Sequence, residues 1–478
     1  MPLLDCLGPA YRIGEPRKAG FGEREQATSL KRVFLAAATS MWLIVLVALA
    51  ARLGFAWYKE RQIPREVLAP ASFAQETGSI SSALASGKGF SSPFLKETGP
   101  TAWLTPVYPL LVAGIFRVFG IFTRTSFFAV VFLNALFSSA VCVAVFQAGK
   151  RVGGLGLASG AAWLWAFFPN AVMVPFEWVW DTALSALLGA VILWATLELA
   201  ESAGWREWCA YGLLWGLTLM TNPSLGSLLP FLLGWAAYRA LRESRAQQAT
   251  KARALNLALS AAGVAFLCCI PWTVRNYMAF HRLIPLRSNL PLELYIGNNE
   301  NYGPRAPWPA RITKERELLR YFRMGEMPFM DEEQHKALAF MRTYPKIVLQ
   351  LTAKRFVAFW TGLPDAVQSF LSTDSLLVRA LLVCNTLAGL GALMGIVALL
   401  WKRSPYAFPL AAYPLVYPWL YYVTHPNLRY RHPIDPVVLL LMAIAVGSLL
   451  SRSRDAGATA GQTSCQAGAQ YAGPPQRR

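Results

Sequence analysis

Long runs of apolar residues, separated by short basic clusters, constrain this chain more than any other feature. A helix needs about 20 apolar residues to cross the hydrocarbon core of a bilayer, and several runs approach that length. The chain is 55% hydrophobic and 15% charged, whereas a soluble domain carries about 25% charged residues. The sequence therefore predicts an all-α polytopic membrane protein, with a large soluble enzyme built on buried helices as the alternative.

The basic clusters predict on which side of the membrane each loop lies. Because Lys and Arg concentrate in cytoplasmic loops, we expect Lys150–Arg151, 239–253 and Lys402–Arg403 to be inside. Residues 1–32 form a basic cytoplasmic segment, and the Ala/Gly/Gln-rich tail 451–478 is predicted to be disordered and cytoplasmic. The protein is thus expected to be a multi-pass protein of the plasma (inner) membrane with both termini in the cytoplasm.

Between these ends, residues 33–450 form the predicted membrane domain, with long outer loops at 58–123 and 273–346. The apolar stretches 104–122 and 347–360 contain prolines or charges, so we expect them to lie at the outer surface. The predicted spans are 33–51, 125–147, 152–168, 178–197, 208–220, 225–238, 254–272, 376–401, 405–422 and 435–450.

The formal net charge of +19 comes from basic residues scattered between apolar runs. Such scattering favours membrane topology over nucleic-acid binding, so no nucleic-acid partner is expected. The seven cysteines show no paired C-x-x-C spacing, and on this topology none faces outward. The sequence therefore predicts no disulfide framework, no metal site and no cofactor, and it leaves metal dependence open.

One acidic residue lies on the apolar side of a predicted amphipathic helix. At 3.6 residues per turn, residues 73–86 place Phe73, Glu76 and Ile80 on one stripe and Ser79 on the opposite face. A carboxylate in apolar surroundings must be paired, protonated or functional. We therefore take Glu76 as a candidate catalytic base; the alternative is a surface carboxylate on a helix that never docks.

Other candidate site residues lie at the outer ends of spans. Glu177 and Asp181 are candidates for a second acid, or they complement the positive end of the helix that follows. Arg275, Arg429 and Arg431 are candidates for binding a lipid phosphate, because a guanidinium binds phosphate through planar charge-assisted hydrogen bonds. The alternative for these arginines is that their side chains extend to lipid headgroups.

Four short phrases occur in a characteristic order: Leu-Ala-x-Gly-x-Gly-Phe at 84–90, Thr-Pro-Val-Tyr-Pro at 105–109, Pro-Trp-x-x-Arg-Asn at 271–276 and Arg-Tyr-x-x-Pro at 429–433. In this order they resemble bacterial membrane glycosyltransferases of the GT-C fold. These are relatives of protein O-mannosyltransferases and lipid A aminoarabinose transferases. The resemblance covers about residues 33–450.

The resemblance implies a GT-C-like bundle of about ten transmembrane helices with amphipathic helices on the outer face. It also implies a polyprenyl-phosphate sugar donor, an inverting transfer and an active site at the outer face. The family's first-loop acid corresponds to Glu76, and its late arginine, which faces the donor phosphate, corresponds to Arg429. Many members carry Asp in the first outer loop, whereas the acids of residues 58–123 are all Glu.

Together these features predict a glycosyltransferase that moves a hexosyl or pentosyl group from a polyprenyl-phosphate donor at the membrane to an acceptor outside. Two other functions stay open: a lipid or glycan transporter, and a non-catalytic membrane subunit of the same fold. Transporters typically show internal repeats or charges deep within spans, and this sequence shows neither. The sugar does not follow from the sequence, and the acceptor can be a glycan, a lipid or a protein.

Overall fold

A computed structural model describes residues 36–62, 73–94, 96–177, 179–200, 204–243, 249–300, 315–362 and 375–451. The predicted segment 1–32 and, apart from Ser451, the predicted tail lie outside the described residues, so both stay predictions.

The described residues form helices, and their one β-type pairing is an isolated bridge between Ser91 and Pro100. In chain order the helices are α1 (Met41–Glu60), α2 (Gln75–Ala85), α3 (Val107–Phe119), α4 (Arg124–Phe167), α5 (Pro169–Glu177), α6 (Thr182–Leu199), α7 (Trp205–Leu219), α8 (Leu229–Glu243), α9 (Ala249–Phe280), α10 (Leu290–Gly297), α11 (Glu315–Met324), α12 (Glu326–Thr343), α13 (Pro345–Thr361), α14 (Leu376–Trp401), α15 (Ala407–Val416), α16 (Trp419–Val423) and α17 (Leu428–Ser451).

Six helices within the described ranges are long and apolar enough to cross a membrane: α1, α4, α6, α9, α14 and α17. The other predicted spans also coincide with helices, but these helices are shorter: α7 and α8 have 15 residues each, and α15 and α16 have 10 and 5. The predicted all-α polytopic membrane bundle is therefore confirmed.

Helix α4 is a hairpin of two antiparallel arms rather than one continuous rod. Gly153 and Gly154 leave helical geometry, and Gly154 has a φ of 81°, in the left-handed region that favours glycine. Beyond this turn, the indole of Trp165 donates a hydrogen bond to the Ser138 carbonyl at 2.7 Å. The second arm therefore packs back along the first, which confirms the reversal predicted beside Lys150–Arg151.

The first span differs from its prediction. The sequence predicts residues 33–51, ending before Arg52, but α1 begins at Met41 and continues to Glu60. Arg52 is 1% exposed and donates hydrogen bonds to the Ser138 hydroxyl at 2.8 Å and to the Ala166 carbonyl at 3.1 Å. Since neighbouring helices satisfy this guanidinium, the charge does not end the helix.

The two apolar stretches expected at the outer surface differ from each other in the structure. Helix α3, within 104–122, has 13 residues, or about 20 Å of length, which is too short to cross a bilayer. Helix α13 covers 347–360, but its Arg355 is 1% exposed and donates to the Val423 carbonyl at 2.9 Å. Arg355 is therefore buried against another helix instead of lying at a lipid interface.

The last two spans also have different bounds from those predicted. The span predicted at 405–422 breaks at Pro418, between α15 and α16, because proline lacks the amide hydrogen that a continuous helix uses. The span predicted at 435–450 begins earlier, since α17 starts at Leu428. Arg429 and Arg431 therefore lie in the first turn of a helix rather than in an outer loop.

A buried carboxylate bonds the two loops that are predicted to be outside, 58–123 and 273–346, to each other. Glu326, the first residue of α12, is 6% exposed. It accepts hydrogen bonds from the Ala102 amide at 2.9 Å and the Ser288 hydroxyl at 2.6 Å, which belong to the first and second outer loops. The hydroxyls of Thr101 and Tyr321 donate to the same carboxylate. Several donors on one buried carboxylate satisfy its charge and fix both loops.

Arg275 bonds the C-terminal part of α9 to the first of these predicted outer loops. Its guanidinium donates hydrogen bonds to the Thr101 carbonyl at 2.6 Å and the Phe90 carbonyl at 2.5 Å. It also lies 5.0 Å from the centre of the Trp272 ring. Arg275 and Glu326 therefore hold the first outer loop from both sides of Thr101.

Cysteine labelling tests the predicted orientation of the bundle. In a chain whose native cysteines are replaced by serine, a Glu97→Cys variant should react with an impermeant maleimide in intact cells. Glu97 is exposed and lies in the predicted outer loop. A Lys402→Cys variant, exposed after α14 on the predicted cytoplasmic side, should react only after permeabilisation. Reaction of the Lys402 variant in intact cells would show that the topology is reversed.

Candidate active site

A cavity of about 420 Å³ is lined by residues of the two predicted outer loops and by the ends of bundle helices. It brings together three residues predicted from distant parts of the sequence, Glu76, Asp181 and Arg429, and adds Arg287 and Glu293. Much of the remaining wall is aromatic or small and polar: Trp103, Trp180, Thr182, Asn222, Ser224, Tyr417, Tyr421, Thr424 and Tyr430. A cavity that combines aromatic surface with converging charges is typical of a ligand site.

Glu76 is half-buried in the first turn of α2 and lines the cavity. The start of α2 is anchored by Phe73, which is 0% exposed and packs edge-on against Phe116 at 5.1 Å between ring centroids. Gly78 lies so close to this anchor that a Cβ there would be 2.8 Å from the Phe73 Cβ. Ser79, predicted on the solvent face, is also buried. Helix α2 is therefore docked on more than one side, unlike a free surface helix.

Asp181 immediately precedes α6 and lines the same cavity. Its carboxylate accepts a hydrogen bond from the Ser185 hydroxyl at 3.0 Å. Burial raises the pKa of the Asp181 carboxyl, while the charges of Arg287 and Arg429 and the Ser185 hydrogen bond oppose that rise. A carboxyl group in this environment takes up a proton at a higher pH than a surface aspartate.

Arg429 lies in the first turn of α17, which is capped by Asn427: the Asn427 side-chain oxygen accepts a hydrogen bond from the Arg429 amide at 3.2 Å. The Arg429 guanidinium stacks on Trp180, with 3.5 Å between Cζ and the ring centroid, and lies 4.9 Å from the Tyr430 ring. These cation–π contacts hold the positive charge against the cavity wall.

Glu293 lies on α10 and lines the cavity, and α10 packs against the C-terminal end of α16. His425 lies behind this acid, with 3.5 Å between its Nδ1 and Glu293 Oε2, and burial lowers the pKa of His425. Arg355 donates hydrogen bonds to carbonyls at the ends of both helices. Gly297 is required for this approach, because a Cβ there would lie 1.9 Å from the Thr424 carbonyl oxygen.

Three other predicted site residues are not part of the cavity wall. Arg275 bonds outer-loop carbonyls, as described above. Arg431 is 1% exposed, pairs with Asp435 at 2.6 Å and donates a hydrogen bond to the Trp360 carbonyl of α13 at 2.8 Å. Glu177 forms an ion pair with Lys59 at 3.3 Å. The contacts of these three side chains join elements of the fold to one another.

Arg287 and Glu293 are site residues that reasoning from the sequence missed. Both lie in the second outer loop region, and the polar phrase 284–289 that contains Arg287 was a weak signal. The spacing of residues in a sequence does not indicate which polar side chains of a loop point inward. Tertiary contacts decide their direction, such as the hydrogen bond that the Ser288 hydroxyl donates to Glu326.

The described residues contain no group of three or more His, Cys, Asp or Glu side chains arranged to hold a metal ion. The cavity acids Glu76, Asp181 and Glu293 belong to separate elements and do not form such a group. The positive charges that the described residues supply to the cavity wall are those of Arg287 and Arg429.

No protein-family model matches the chain, and no curated protein matches its sequence. Solved structures do match its fold. The chain resembles the crystal structure of the Archaeoglobus fulgidus oligosaccharyltransferase in complex with Zn and sulfate, with a TM-score of 0.51 and 13% identity over 91% of this chain and 54% of that one. For the apo form of that enzyme the TM-score is 0.52, with 12% identity over 88% of this chain and 51% of that one.

The chain thus spans about half the length of these structures. Identity this low shows the fold alone. That fold is the GT-C fold of membrane glycosyltransferases, so the predicted fold class is confirmed. The similarity to bacterial O-mannosyltransferases and aminoarabinose transferases in particular stays a sequence resemblance.

Thermal unfolding in detergent should separate structural from cavity arginines. Arg431→Gln leaves Asp435, which is 0% exposed, without its guanidinium partner. Breaking a buried pair costs about 3–5 kcal/mol, so the unfolding temperature should fall strongly. Arg429→Gln removes cation–π contacts that contribute about 1–2 kcal/mol, so the fall should be small. Equal destabilisation by the two variants would show that Arg429 is also mainly structural.

Proposed function

We propose that the protein is a membrane glycosyltransferase that moves a sugar from a polyprenyl-phosphate donor to an acceptor at the outer face of the plasma membrane. The observation that carries this proposal is the convergence of Glu76 and Arg429 on one cavity. A carboxylate can activate an acceptor hydroxyl, and a guanidinium can stabilise a leaving phosphate. The GT-C fold and the sequence resemblance to bacterial lipid-dependent glycosyltransferases support the same reaction class.

In the proposed reaction, Glu76 accepts the proton of the acceptor hydroxyl while that oxygen forms a bond to C1 of the sugar. The bond between C1 and the phosphate oxygen breaks, and its electron pair leaves with the polyprenyl phosphate. Direct displacement of this kind inverts the configuration at C1. Arg429, with Arg287 as a second cation, stabilises the negative charge that develops on the leaving phosphate. The acceptor is left open as a protein, a lipid or a glycan.

The cavity lining reduces the number of candidate site residues. Among the three candidate arginines we assign the donor phosphate to Arg429, because it lines the cavity. We propose that Arg275 and Arg431 position the site, since their guanidiniums are bonded within the fold. For the same reason Asp181, which lines the cavity, is the second acid of the proposal in place of Glu177.

Mass spectrometry of lipid-linked sugars and envelope glycans, in cells with and without the gene, tests the reaction. We expect one sugar to disappear from one class of envelope molecule while its polyprenyl-phosphate form accumulates. A donor that accumulates only on the cytoplasmic side would instead indicate a transporter. If neither pool changes, the proposal is wrong.

Glu76→Gln should abolish transfer while the protein still folds and binds the donor. The amide keeps the shape of the side chain but cannot accept the acceptor's proton, and loss of a general base typically lowers the rate by about 100- to 10,000-fold. The measurement is complementation of the gene deletion, followed by the same glycan analysis.

The matched control is Glu97→Gln, which makes the same chemical change at an exposed ion pair with Lys88 outside the cavity. This control should restore transfer fully. Full transfer by the Glu76 variant, combined with its loss in Asp181→Asn, would identify Asp181 as the base.

Arg429→Gln should weaken binding of a polyprenyl phosphate to the detergent-solubilised protein. Losing a charge-assisted hydrogen bond costs about 1.5–3 kcal/mol, which is about 10- to 100-fold in Kd. Quenching of tryptophan fluorescence can report binding, since Trp103 and Trp180 line the cavity. Arg282→Gln is the control, because Arg282 is an exposed arginine paired with Asp331. Equal affinities for the two variants would remove Arg429 from the donor site.

A further inference from the structure

The cavity wall carries more acidic side chains than basic ones. Its carboxylates and guanidiniums are Glu76, Asp181, Glu293, Arg287 and Arg429. His425, behind Glu293, adds no positive charge at pH 7, because burial lowers its pKa from a value already below 7. Three carboxylates therefore meet two guanidiniums, and the phosphodiester of the proposed donor would add one more negative charge. Adding an anion to such a set favours uptake of a proton by one of the carboxylates.

Two consecutive residues bring one of these carboxylates to the arginine pair. The ring of Trp180 lies 3.5 Å from the Arg429 guanidinium. The next residue, Asp181, carries the carboxylate on which the charges of Arg287 and Arg429 both act. Asp181 is thus one of the anions that the fold supplies to the two arginines, and the charges of Glu76 and Glu293 also act on Arg429.

We propose that Asp181 is a placeholder for the donor phosphate: its carboxylate interacts with Arg287 and Arg429 in the free protein and yields them to the phosphate by taking up a proton. The inference rests on the proposed function and adds how the phosphate end of the donor is admitted. In this step one proton passes from the acid form of the buffer to the carboxylate: an O–H bond forms on Asp181, and the buffer is left as its conjugate base. Release of the product phosphate returns that proton. Asp181 is here a positioning residue.

The surroundings of Asp181 favour this residue as the proton acceptor. The titratable and charged groups that share the cavity with Asp181 or interact with it electrostatically are Arg287, Arg429, Glu76, Glu293, Tyr108, Tyr417, Tyr421 and Tyr430. The phenols keep their protons near neutral pH, since tyrosine titrates near pH 10. Burial raises the pKa of Asp181, so its neutral form is reached at a higher pH than for an exposed aspartate.

The protonation of Asp181 determines whether donor affinity rises or falls with pH. Below the pKa of Asp181 the carboxyl is neutral, and the phosphate meets both arginines without a competing anion. Above that pKa the carboxylate must first take up a proton, so donor affinity should fall by up to about tenfold per pH unit. The probe is farnesyl methyl phosphate in detergent micelles, because this phosphodiester keeps a single charge from pH 5 to pH 9, whereas a phosphate monoester titrates near pH 6.

Calorimetry at pH 6 and pH 8, in buffers of different ionisation enthalpy, measures both Kd and proton uptake. The wild-type protein should bind more weakly at pH 8 and take up a fraction of a proton that approaches one. Asp181→Asn should bind with no such pH dependence and, at pH 8, more tightly than the wild type. Asp181→Glu should restore the pH dependence. Glu177→Gln, a matched charge removal at the ion pair with Lys59, should behave as the wild type.

The outcomes separate this inference from the proposed function. Binding without proton uptake by the wild-type protein, or an Asp181→Asn variant that binds no more tightly at pH 8, overturns the placeholder and leaves the donor site standing. Absence of binding at either pH overturns both. Because proton uptake is measured on the wild-type protein, its absence overturns the placeholder even if the asparagine variant does not fold.

Discussion

The hydrogen bonds that Glu326 accepts connect the parts of the chain that build the cavity. One bond comes from the amide of Ala102, the residue before Trp103, and another from the hydroxyl of Ser288, the residue after Arg287. Trp103 and Arg287 both line the cavity. A single buried carboxylate therefore sets the distance between the aromatic wall of the first outer loop and a cation of the second, and desolvation makes each of these bonds expensive to lose.

The arginines of the membrane domain divide into two kinds by the partners they have. Arg52, Arg355 and Arg431 are each 1% exposed and donate to backbone carbonyls, which lets a guanidinium stay inside an apolar bundle. Arg429 instead rests on aromatic faces beside the cavity. Both kinds look alike in a sequence, as charges within or beside apolar runs, yet only the second kind lines the cavity.

The proposed function implies a way in which a charged headgroup enters this cavity. Two guanidiniums that faced no anion would be costly to hold in a site of low polarity, and carboxylates such as Asp181 reduce that cost. The same carboxylates repel a phosphate unless one of them is protonated. In the proposal, donor binding and proton uptake are thus coupled by electrostatics.

The sequence by itself determined the class of fold, because a bilayer accepts only long apolar helices whose backbone groups are satisfied internally. It also indicated Glu76 through helical periodicity and Arg429 through a short phrase near the last span. It did not indicate that Arg287 and Glu293 line the cavity. It also did not indicate that Arg275 and Arg431 bond within the fold, or that α1 continues past Arg52. Those features depend on which carbonyls, rings and carboxylates meet in three dimensions, and contacts between residues hundreds of positions apart leave no period in a sequence. Only the tertiary structure decided which charges face the cavity.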